Sequence, residues 1–291
     1  MKLAVASRTS INVFASNRAL AISYPKKKKR YDQLFIPQVK YHTGYLDTHE
    51  IEFGKENELY FINTMFSCIS KVSAEKHFEM YWKPNFITEL LPEDRCHLNG
   101  MAMKNDKPAY VTMFDSTNTS FGWKKTPKET GILMEVDTGK ILLDQLAMPH
   151  SPVYFDDKIY FLLSGTGEIK CYDLKSEQVT LISKIDSFLR GLVVYDNFLI
   201  VGTSKLREKT TTFKGLPFSS EDSYCGIYIL NRATGKPMGG ISYTDKIREI
   251  FSLKLLFDVQ VPGILIEHDE YHDKSIMADP NLNFWIKQKK N

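Results

Sequence analysis

The feature that most constrains the fold is a series of short apolar runs, rich in β-branched and aromatic residues, that continues along the whole sequence. The clearest runs are ELYFINT (58–64), PAYVTMF (108–114), KIYFLLSG (158–165), NFLIVGTS (197–204) and CGIYILN (225–231). Gly, Asp, Asn or Ser bounds these runs, a pattern typical of strands joined by tight turns. Helical periodicity over about ten or more residues is hard to find. An all-β fold is therefore predicted, and α/β architectures, which need helices between strands, are disfavoured.

The runs belong to a longer repeat, because a start-of-strand segment with a polar anchor residue precedes each group of strands. The anchors are His49, His97, His150, Arg190 and Glu249, which lie 48, 53, 40 and 59 residues apart. A unit of about 40–50 residues with about four strands has the size of a propeller blade. The spacing predicts a β-propeller of about six four-stranded blades, with five to seven compatible, in a single domain over residues 1–291. The first blade is expected to be incomplete, or to be closed by C-terminal strands around GILIEHDE (263–270).

Composition excludes several classes of partner. A net charge of +3 on 291 residues gives no electrostatic basis for nucleic acid as the main partner. The run KKKKR (26–30) is interpreted as a solvated loop in preference to a nuclear-import or phosphate-binding patch. No window approaches the roughly 20 apolar residues of a membrane helix, so no membrane partner is expected. The polar start of the chain favours a cytoplasmic protein. Four scattered cysteines without a CxxC pair are typical of reduced, buried thiols. The oligomeric state is left open.

Three of the anchors are histidines. In a propeller the first strand of every blade lines the central channel, so equivalent positions converge although they are far apart in sequence. On this alignment His49, His97 and His150 face one another at the channel mouth. Three imidazoles with an open fourth position suit a divalent transition metal such as Zn, Fe or Mn. The alternative is a hydrogen-bonded polar plug in a wet channel.

The two remaining anchors are the candidate catalytic residues. Glu249 is expected to act as a general acid or base, as a further metal ligand, or as a group that orients a histidine. Arg190 is expected to anchor an anionic group, because its planar guanidinium matches the geometry of carboxylate and phosphate.

Three polar residues near the histidines are candidate substrate-binding positions. Asn99 follows His97 by two residues and is expected on the same strand face, where its amide would contact substrate. Asp47 precedes His49 by two residues and is expected either to orient that imidazole or to form a turn. Arg95 lies in the charged loop before His97, which is interpreted either as a substrate-binding gate or as a solvated loop whose charges pair with one another.

Several ordered motifs resemble those of a known family. These motifs are HLNG (97–100), MPHSP (148–152), SGTGE (164–168), FLRGL (188–192) and EIF (249–251). They resemble an uncharacterised family of bacterial conserved hypothetical proteins, classified as a domain of unknown function, from about Tyr41 to Phe251. The resemblance implies a propeller-like fold and, in some members, accompanying tetratricopeptide segments. It implies no activity.

Two function classes follow from these observations. The first is a small-molecule enzyme with a polar, metal-binding site at the channel mouth, whose reaction is left open between hydrolase, lyase and oxidoreductase. The alternative is a non-catalytic propeller that presents one face to a peptide, a glycan or a protein partner. The enzyme is slightly favoured, because interaction faces seldom need imidazoles that converge in a channel.

Overall fold

The computed structural model describes residues 1–206, 215–219, 221, 223–244, 246–279 and 282–286. The chain divides into two compact units, Met1–Gly44 together with Leu256–Asn291, and Tyr45–Leu255. In the described part of the chain, no helix is long and apolar enough to cross a membrane.

The first unit begins with an antiparallel three-stranded meander. Its strands are β1 (Lys2–Ala6), β2 (Ser10–Asn17) and β3 (Gln33–His42). The short helix α1 (Arg18–Ile22) follows β2, and the Asn17 side chain caps it by accepting a hydrogen bond from Leu20 N at 2.9 Å.

The second unit contains four antiparallel sheets, each built from four strands that are consecutive in the chain. The β4 blade consists of β4 (Thr48–Phe53), β5 (Leu59–Asn63), β6 (Cys68–Lys71) and β7 (Glu79–Trp82). The β8 blade consists of β8 (Leu98–Lys104), β9 (Lys107–Met113), β10 (Gly131–Glu135) and β11 (Ile141–Leu146). The β12 blade consists of β12 (Pro149–Phe155), β13 (Lys158–Leu163), β14 (Glu168–Asp173) and β15 (Val179–Lys184). The β16 blade consists of β16 (Phe188–Tyr195), β17 (Phe198–Ser204), β18 (Cys225–Asn231) and β19 (Pro237–Tyr243).

The remaining strands return to the first unit. Strand β20 (Pro262–Ile264) pairs in parallel with β3 and gives the N-terminal meander its fourth strand. Strands β21 (Ser275–Asp279) and β22 (Leu282–Trp285) form a separate hairpin. Three short 3-10 helices complete the described secondary structure, at Lys55–Asn57, Gly122–Lys125 and His272–Lys274.

The all-β propeller prediction is confirmed. The described residues form five four-stranded sheets, which lies within the expected five to seven blades and is one fewer than the favoured six. The single domain over residues 1–291 stays a prediction.

Strand β13 shows why the second strands of the blades are apolar throughout. Its side chains alternate between two interfaces, as the period of two in a strand requires. Tyr160 and Leu162 pack in a cluster with Leu199 of the β16 blade, whereas Phe161 packs in a cluster with Leu133 of the β8 blade. A strand covered on both faces gains about 1.5–3 kcal/mol for each large apolar side chain that it buries, so polar residues are disfavoured on either face.

Candidate functional site

Three main-chain hydrogen bonds show which residues of successive blades are equivalent. In each, an amide just after the second strand donates to a carbonyl just before the first strand. The bonds are Met65 N to Leu46 O (3.1 Å), Asp115 N to Cys96 O (3.2 Å) and Gly165 N to Ala147 O (3.0 Å). The residue after each carbonyl has a left-handed backbone, with φ of 51° at Asp47, 50° at His97 and 53° at Met148. The three blades therefore share one backbone geometry at this point.

By this equivalence, His97 does not occupy the same blade position as His49 and His150. The third residue after each acceptor is His49 in the β4 blade, Asn99 in the β8 blade and His150 in the β12 blade. His97 lies two residues earlier, at the left-handed position. The expectation that the three histidines occupy equivalent positions is therefore wrong for His97. The physical reason is that strand pairing, which sets the equivalence, is not visible in the spacing of the anchors.

His49 is held by two hydrogen-bond acceptors of its own blade. Its Nδ1 lies 2.9 Å from the main-chain oxygen of Asp47 and 2.8 Å from Oγ1 of Thr64. The Thr64 hydroxyl donates its own proton to Leu98 O of the next blade at 2.6 Å. This chain of contacts, which we call a hydroxyl relay, joins the imidazole of one blade to the first strand of its neighbour.

His150 has the same relay one repeat further on. Its Nδ1 lies 3.1 Å from Met148 O and 2.8 Å from Oγ of Ser164, and the Ser164 hydroxyl donates to Leu189 O at 2.5 Å. His150 is only 4% exposed. The atoms match those around His49 one for one, with serine in place of threonine.

The relays assign the tautomer of both rings. A main-chain carbonyl can only accept a hydrogen bond, and each relay hydroxyl has already donated its single proton to a carbonyl. Nδ1 of His49 and of His150 must therefore carry the proton. In the neutral ring Nε2 is then the acceptor. Among the described residues, no side chain or main-chain group makes a hydrogen bond with Nε2 of either ring.

Both rings are held neutral. Burial lowers the pKa of His49 well below its ordinary value, and the charges of Arg190 and His97 lower it further. Burial likewise lowers the pKa of His150, again with Arg190 as the strongest charged neighbour. Desolvation penalises an imidazolium, and a nearby guanidinium repels it.

The β8 blade departs from this pattern. Its His97 Nδ1 lies 3.0 Å from Oδ2 and 3.2 Å from Oδ1 of Asp94, a carboxylate that is only 4% exposed. Oδ2 of Asp94 also accepts a hydrogen bond from the indole N–H of Trp123 at 2.9 Å. The His97 ring lies against Trp123 and Phe114, with ring centroids 4.2 Å and 4.6 Å away. Two aromatic rings and one buried carboxylate therefore determine how this imidazole is oriented.

Trp123 reaches His97 because of a long connection between β9 and β10. The connection contains the 3-10 helix Gly122–Lys125, which follows a left-handed residue, Phe121. A threonine cluster lies close around Gly122, where any Cβ would collide with Thr117. The backbone at this point is therefore closely fitted, and the indole that follows has a defined position.

The three histidines line a partly open cavity of about 240 Å³ in the second unit. Its wall combines titratable, cationic and aromatic groups. The lining residues are Asp47, His49, His97, Phe114, Trp123, His150, Phe188, Arg190, Ser204, Lys205, Leu206, Glu249 and Phe251. Of the predicted site residues, His49, His97, His150, Arg190, Glu249 and Asp47 are thus brought together.

A closing segment, residues 249–255, completes the wall without belonging to a sheet. Ile250 N donates to Oγ of Ser204 at 3.0 Å, which attaches the segment to the β16 blade. Further along, the ammonium of Lys254 forms an ion pair with Glu52 of β4. The segment therefore spans the space between the β16 blade and the β4 blade.

The cationic side of the cavity lies on the β16 blade. The guanidinium of Arg190 lies 4.1 Å from the ring centroid of Phe251, a cation–π contact with the closing segment. Lys205 lies at the exposed rim, and no carboxylate in the described part of the chain forms an ion pair with its ammonium. Glu249 adds a carboxylate to the same wall.

Asp47 orients His49, but it does so through its main-chain oxygen and a left-handed turn. The backbone of Asp47 thus both contacts the imidazole and forms a turn, and substrate binding by its side chain stays a prediction.

Asn99 and Arg95 do not line the cavity. Asn99 is 3% exposed and its Oδ1 accepts from Thr112 Oγ1 at 2.8 Å, while its Nδ2 has no acceptor among the described residues. Arg95 donates to Glu93 Oε2 at 2.8 Å and to Asn118 Oδ1 at 2.7 Å. These contacts favour the interpretation of the Arg95 loop as mutually paired, and substrate binding by either residue stays a prediction.

The metal centre predicted at His49, His97 and His150 has no support from the described side chains. In the described part of the chain there is no group of three or more His, Cys, Asp or Glu side chains that could hold a metal ion. The ring of Phe114 contacts two of the imidazoles, with centroids 4.6 Å from His97 and 5.1 Å from His150, and the His49 ring lies 5.0 Å from that of His97. The expected Zn, Fe or Mn site is given no support by this geometry and stays a prediction.

Glu50 is a buried titratable residue close to Lys254 of the closing segment. Burial raises the pKa of Glu50 to about 7, and the charge of Lys254 opposes the increase. Oε2 of Glu50 accepts from Met101 N at 2.9 Å, so this carboxyl joins β4 to the β8 blade. Its role is therefore in the packing of first strands, outside the cavity wall.

Three residues of the site and one contact were missed from the sequence. Asp94 belongs to the charged loop singled out with Arg95, but its contact with His97 was missed, as was Trp123, because both depend on loops, for which the sequence has no periodic signal. Thr64 and Ser164 had a signal, since each directly follows a second strand at the same point of the repeat.

The fold and the cavity define a class, that of β-propeller proteins with a polar and aromatic pocket between the first strands of their blades. Within that class, the chain belongs to the family described as Domain of unknown function (DUF4915), which matches residues 1–265. This confirms the family resemblance. No curated protein matches the sequence.

Solved structures with similar folds are distant. A gluconolactonase from Xanthomonas campestris is 12% identical with a TM-score of 0.47, over 70% of this chain and 64% of that chain. The computationally designed Ika8 protein is 10% identical with a TM-score of 0.42, over 87% and 64%. Virginiamycin B lyase from Staphylococcus aureus is 12% identical with a TM-score of 0.40, over 67% and 56%. This chain spans less than two thirds of each of these chains, and similarities of this size carry no functional argument.

Proposed function

We propose that this protein is an enzyme that transfers a proton to or from a small molecule bound in the cavity, with His97 as the general base. The observation that carries the proposal is the contact between Nδ1 of His97 and the buried carboxylate of Asp94. A carboxylate that accepts from Nδ1–H holds an imidazole in the tautomer whose Nε2 can take a proton.

Asp94 has a second role in this scheme. When Nε2 takes a proton the ring becomes an imidazolium, and the adjacent carboxylate stabilises that charge. Trp123 holds Asp94 in place by donating to Oδ2. General acid–base catalysis by a positioned histidine typically contributes about 10²–10⁴ in rate.

Arg190 and Glu249, which line the same cavity, have complementary roles. Arg190 stabilises negative charge that develops when a proton leaves the substrate. Glu249 is a second acid–base group of the cavity: in its protonated form it gives a proton to the leaving group, after which solvent takes the proton from His97 and restores that of Glu249. One base, one cation and one further carboxyl suit two reaction classes, elimination beside a carboxylate and hydrolysis by an activated water.

The test is an assay in D₂O that detects proton exchange, elimination and hydrolysis alike. It therefore does not depend on which of the two reactions the protein catalyses. Small esters, lactones and hydroxylated carboxylates are incubated with the protein in D₂O, and ¹H NMR follows exchange, elimination or hydrolysis. We expect wild-type protein to turn over at least one of these compounds. Asp94→Asn is expected to lower that rate by about 10²–10³-fold, and His97→Gln to lower it by at least as much.

His272 provides the matched control. Its Nδ1 lies 2.8 Å from Asp273 Oδ1, a similar contact that lies outside the cavity, on the first unit. Asp273→Asn should therefore leave the rate unchanged. Equal rates for wild type and Asp94→Asn would contradict the proposal. Ligand binding without any turnover would assign the protein to the alternative class of non-catalytic binding modules.

A further inference from the structure

We propose that His49 and His150 form a pair of hydrogen-bond acceptors that recognise hydroxyl groups, and that the ligand of the cavity is a small hydroxylated carboxylate. This inference rests on the proposed function, since it names the substrate class of the same cavity. Binding at equilibrium tests it separately from catalysis.

The first argument is that the two rings present the same atom. Each relay fixes the proton on Nδ1 and leaves Nε2 as a lone-pair acceptor on a ring that lines the cavity. Two blades reach this result with different hydroxyl residues, Thr64 and Ser164. A site with two fixed acceptors is complementary to a ligand with two donors.

The second argument concerns charge. Because burial and the Arg190 charge hold both imidazoles neutral, neither ring contributes a positive charge for an anion. The positive charges come from Arg190 and from Lys205 at the rim, and Asp47 and Glu249 carry carboxyl groups on the same wall. The two cations can bind the carboxylate of a ligand, and the donors that remain to approach Nε2 are then the hydroxyls of that ligand.

The third argument is size. A cavity of about 240 Å³ has the size of a site for a small molecule. A four-carbon hydroxy acid occupies comparable space. The rings of Phe114 and Phe188 on the wall match its carbon chain.

The specificity follows from the cost of an unmade hydrogen bond. A site built to bond a substrate hydroxyl rejects an analogue that lacks it far more strongly than it rejects a small change in apolar size. A deoxy analogue would leave both Nε2 atoms desolvated without a donor.

The experiment compares three probes by isothermal titration calorimetry. Erythronate carries the carboxylate and the hydroxyls, butyrate carries only the carboxylate, and erythritol carries only the hydroxyls. We expect erythronate to bind wild-type protein at least about tenfold more tightly than either of the other two.

Two variants test the histidines directly. His49→Asn and His150→Asn each keep an N–H near Nδ1 for the relay and remove the Nε2 acceptor, and Asn99 occupies the equivalent position of the β8 blade. Each is expected to weaken erythronate binding at least about tenfold with little change in thermal stability. His77→Asn, at an exposed histidine of the same unit, is the control and should bind like wild type.

Butyrate affinity equal to that of erythronate would overturn the inference, as would wild-type affinity in both Asn variants, or no binding of erythronate at about 10 mM. Tight, hydroxyl-dependent binding without turnover would leave the inference standing and remove the proposed catalysis. If turnover and affinity were both unchanged in the two Asn variants, the proposed catalysis would stand and the inference about His49 and His150 would fall.

Discussion

Two blades of the second unit repeat one design, and the blade between them breaks it. In the β4 and β12 blades a histidine, a relay hydroxyl and a carbonyl of the next blade are linked by matching hydrogen bonds. In the β8 blade the corresponding histidine and hydroxyl are replaced by Asn99 and Phe114. A histidine appears there two residues earlier, paired with a buried carboxylate.

The comparison separates two uses of the same side chain. A relay connects an imidazole to neutral wall groups and suits it to accept a hydrogen bond from a ligand. A carboxylate partner stabilises the protonated ring and suits it to take up a proton. The departure from the repeat is therefore where we place the chemistry, and the repeated positions are where we place recognition.

The largest effect is expected at the tryptophan on which the β8 blade depends. Trp123→Ala removes the ring packed on His97 and the N–H donor to Asp94, and should lower the free energy of unfolding by about 3–5 kcal/mol. Trp123→Phe keeps an aromatic ring and should cost about 1–3 kcal/mol, because one oxygen of Asp94 loses its donor. Urea denaturation measures both. Equal losses in the two variants would show that the hydrogen bond, and not the packing, dominates.

An intermediate effect is expected when a relay is broken. Thr64→Val keeps the shape of the side chain and removes the hydroxyl, so the buried Leu98 carbonyl loses its donor at a cost of about 1–3 kcal/mol. Thr64→Ser reproduces the relay of the β12 blade and should cost less, about 0.8 kcal/mol for the lost methyl. If the serine variant proved the less stable of the two in urea denaturation, the relay would not be the source of stability.

The smallest effect is expected in the pH dependence of stability. The pKa of folded His150 lies well below its ordinary value, so between these two values the unfolded chain binds a proton that the folded chain does not. Stability from this residue is thus fully present above about pH 6.5 and is lost as the pH falls toward the folded pKa. His150→Asn should therefore lose less stability than wild type does between about pH 7.5 and about pH 5.5. Denaturant unfolding at both pH values checks this, and parallel losses in the two proteins would contradict it.

The blade architecture was predictable because it depends on local signals. The centres of the runs, such as IYFLL (159–163), are apolar at consecutive positions, as a strand buried on both faces requires, and turn residues separate the runs at a blade-like period. His49 and His150 were also placed correctly, because each follows its blade start by the same number of residues.

The partners of His97 were not predictable in the same way. Asp94 is only three residues from His97 in the sequence. Its carboxylate reaches the imidazole because Asp94 itself has a left-handed backbone, with φ of 41°, which turns the loop there. Trp123 comes from the long connection between β9 and β10, which is much longer than the corresponding connections of the β4 and β12 blades. Strand pairing also places His97 two residues before the position that His49 and His150 occupy in their own blades, which the sequence did not reveal.

The sequence by itself determined that this chain is an all-β propeller and that polar residues recur at the start of its blades, because hydrophobic periodicity and turn chemistry act over a few neighbouring residues. Only the tertiary structure decided which imidazoles hold their proton on a hydroxyl relay and which one is paired with a carboxylate. Those differences depend on hydrogen bonds between blades and loops, where a shift of one or two residues changes the partner.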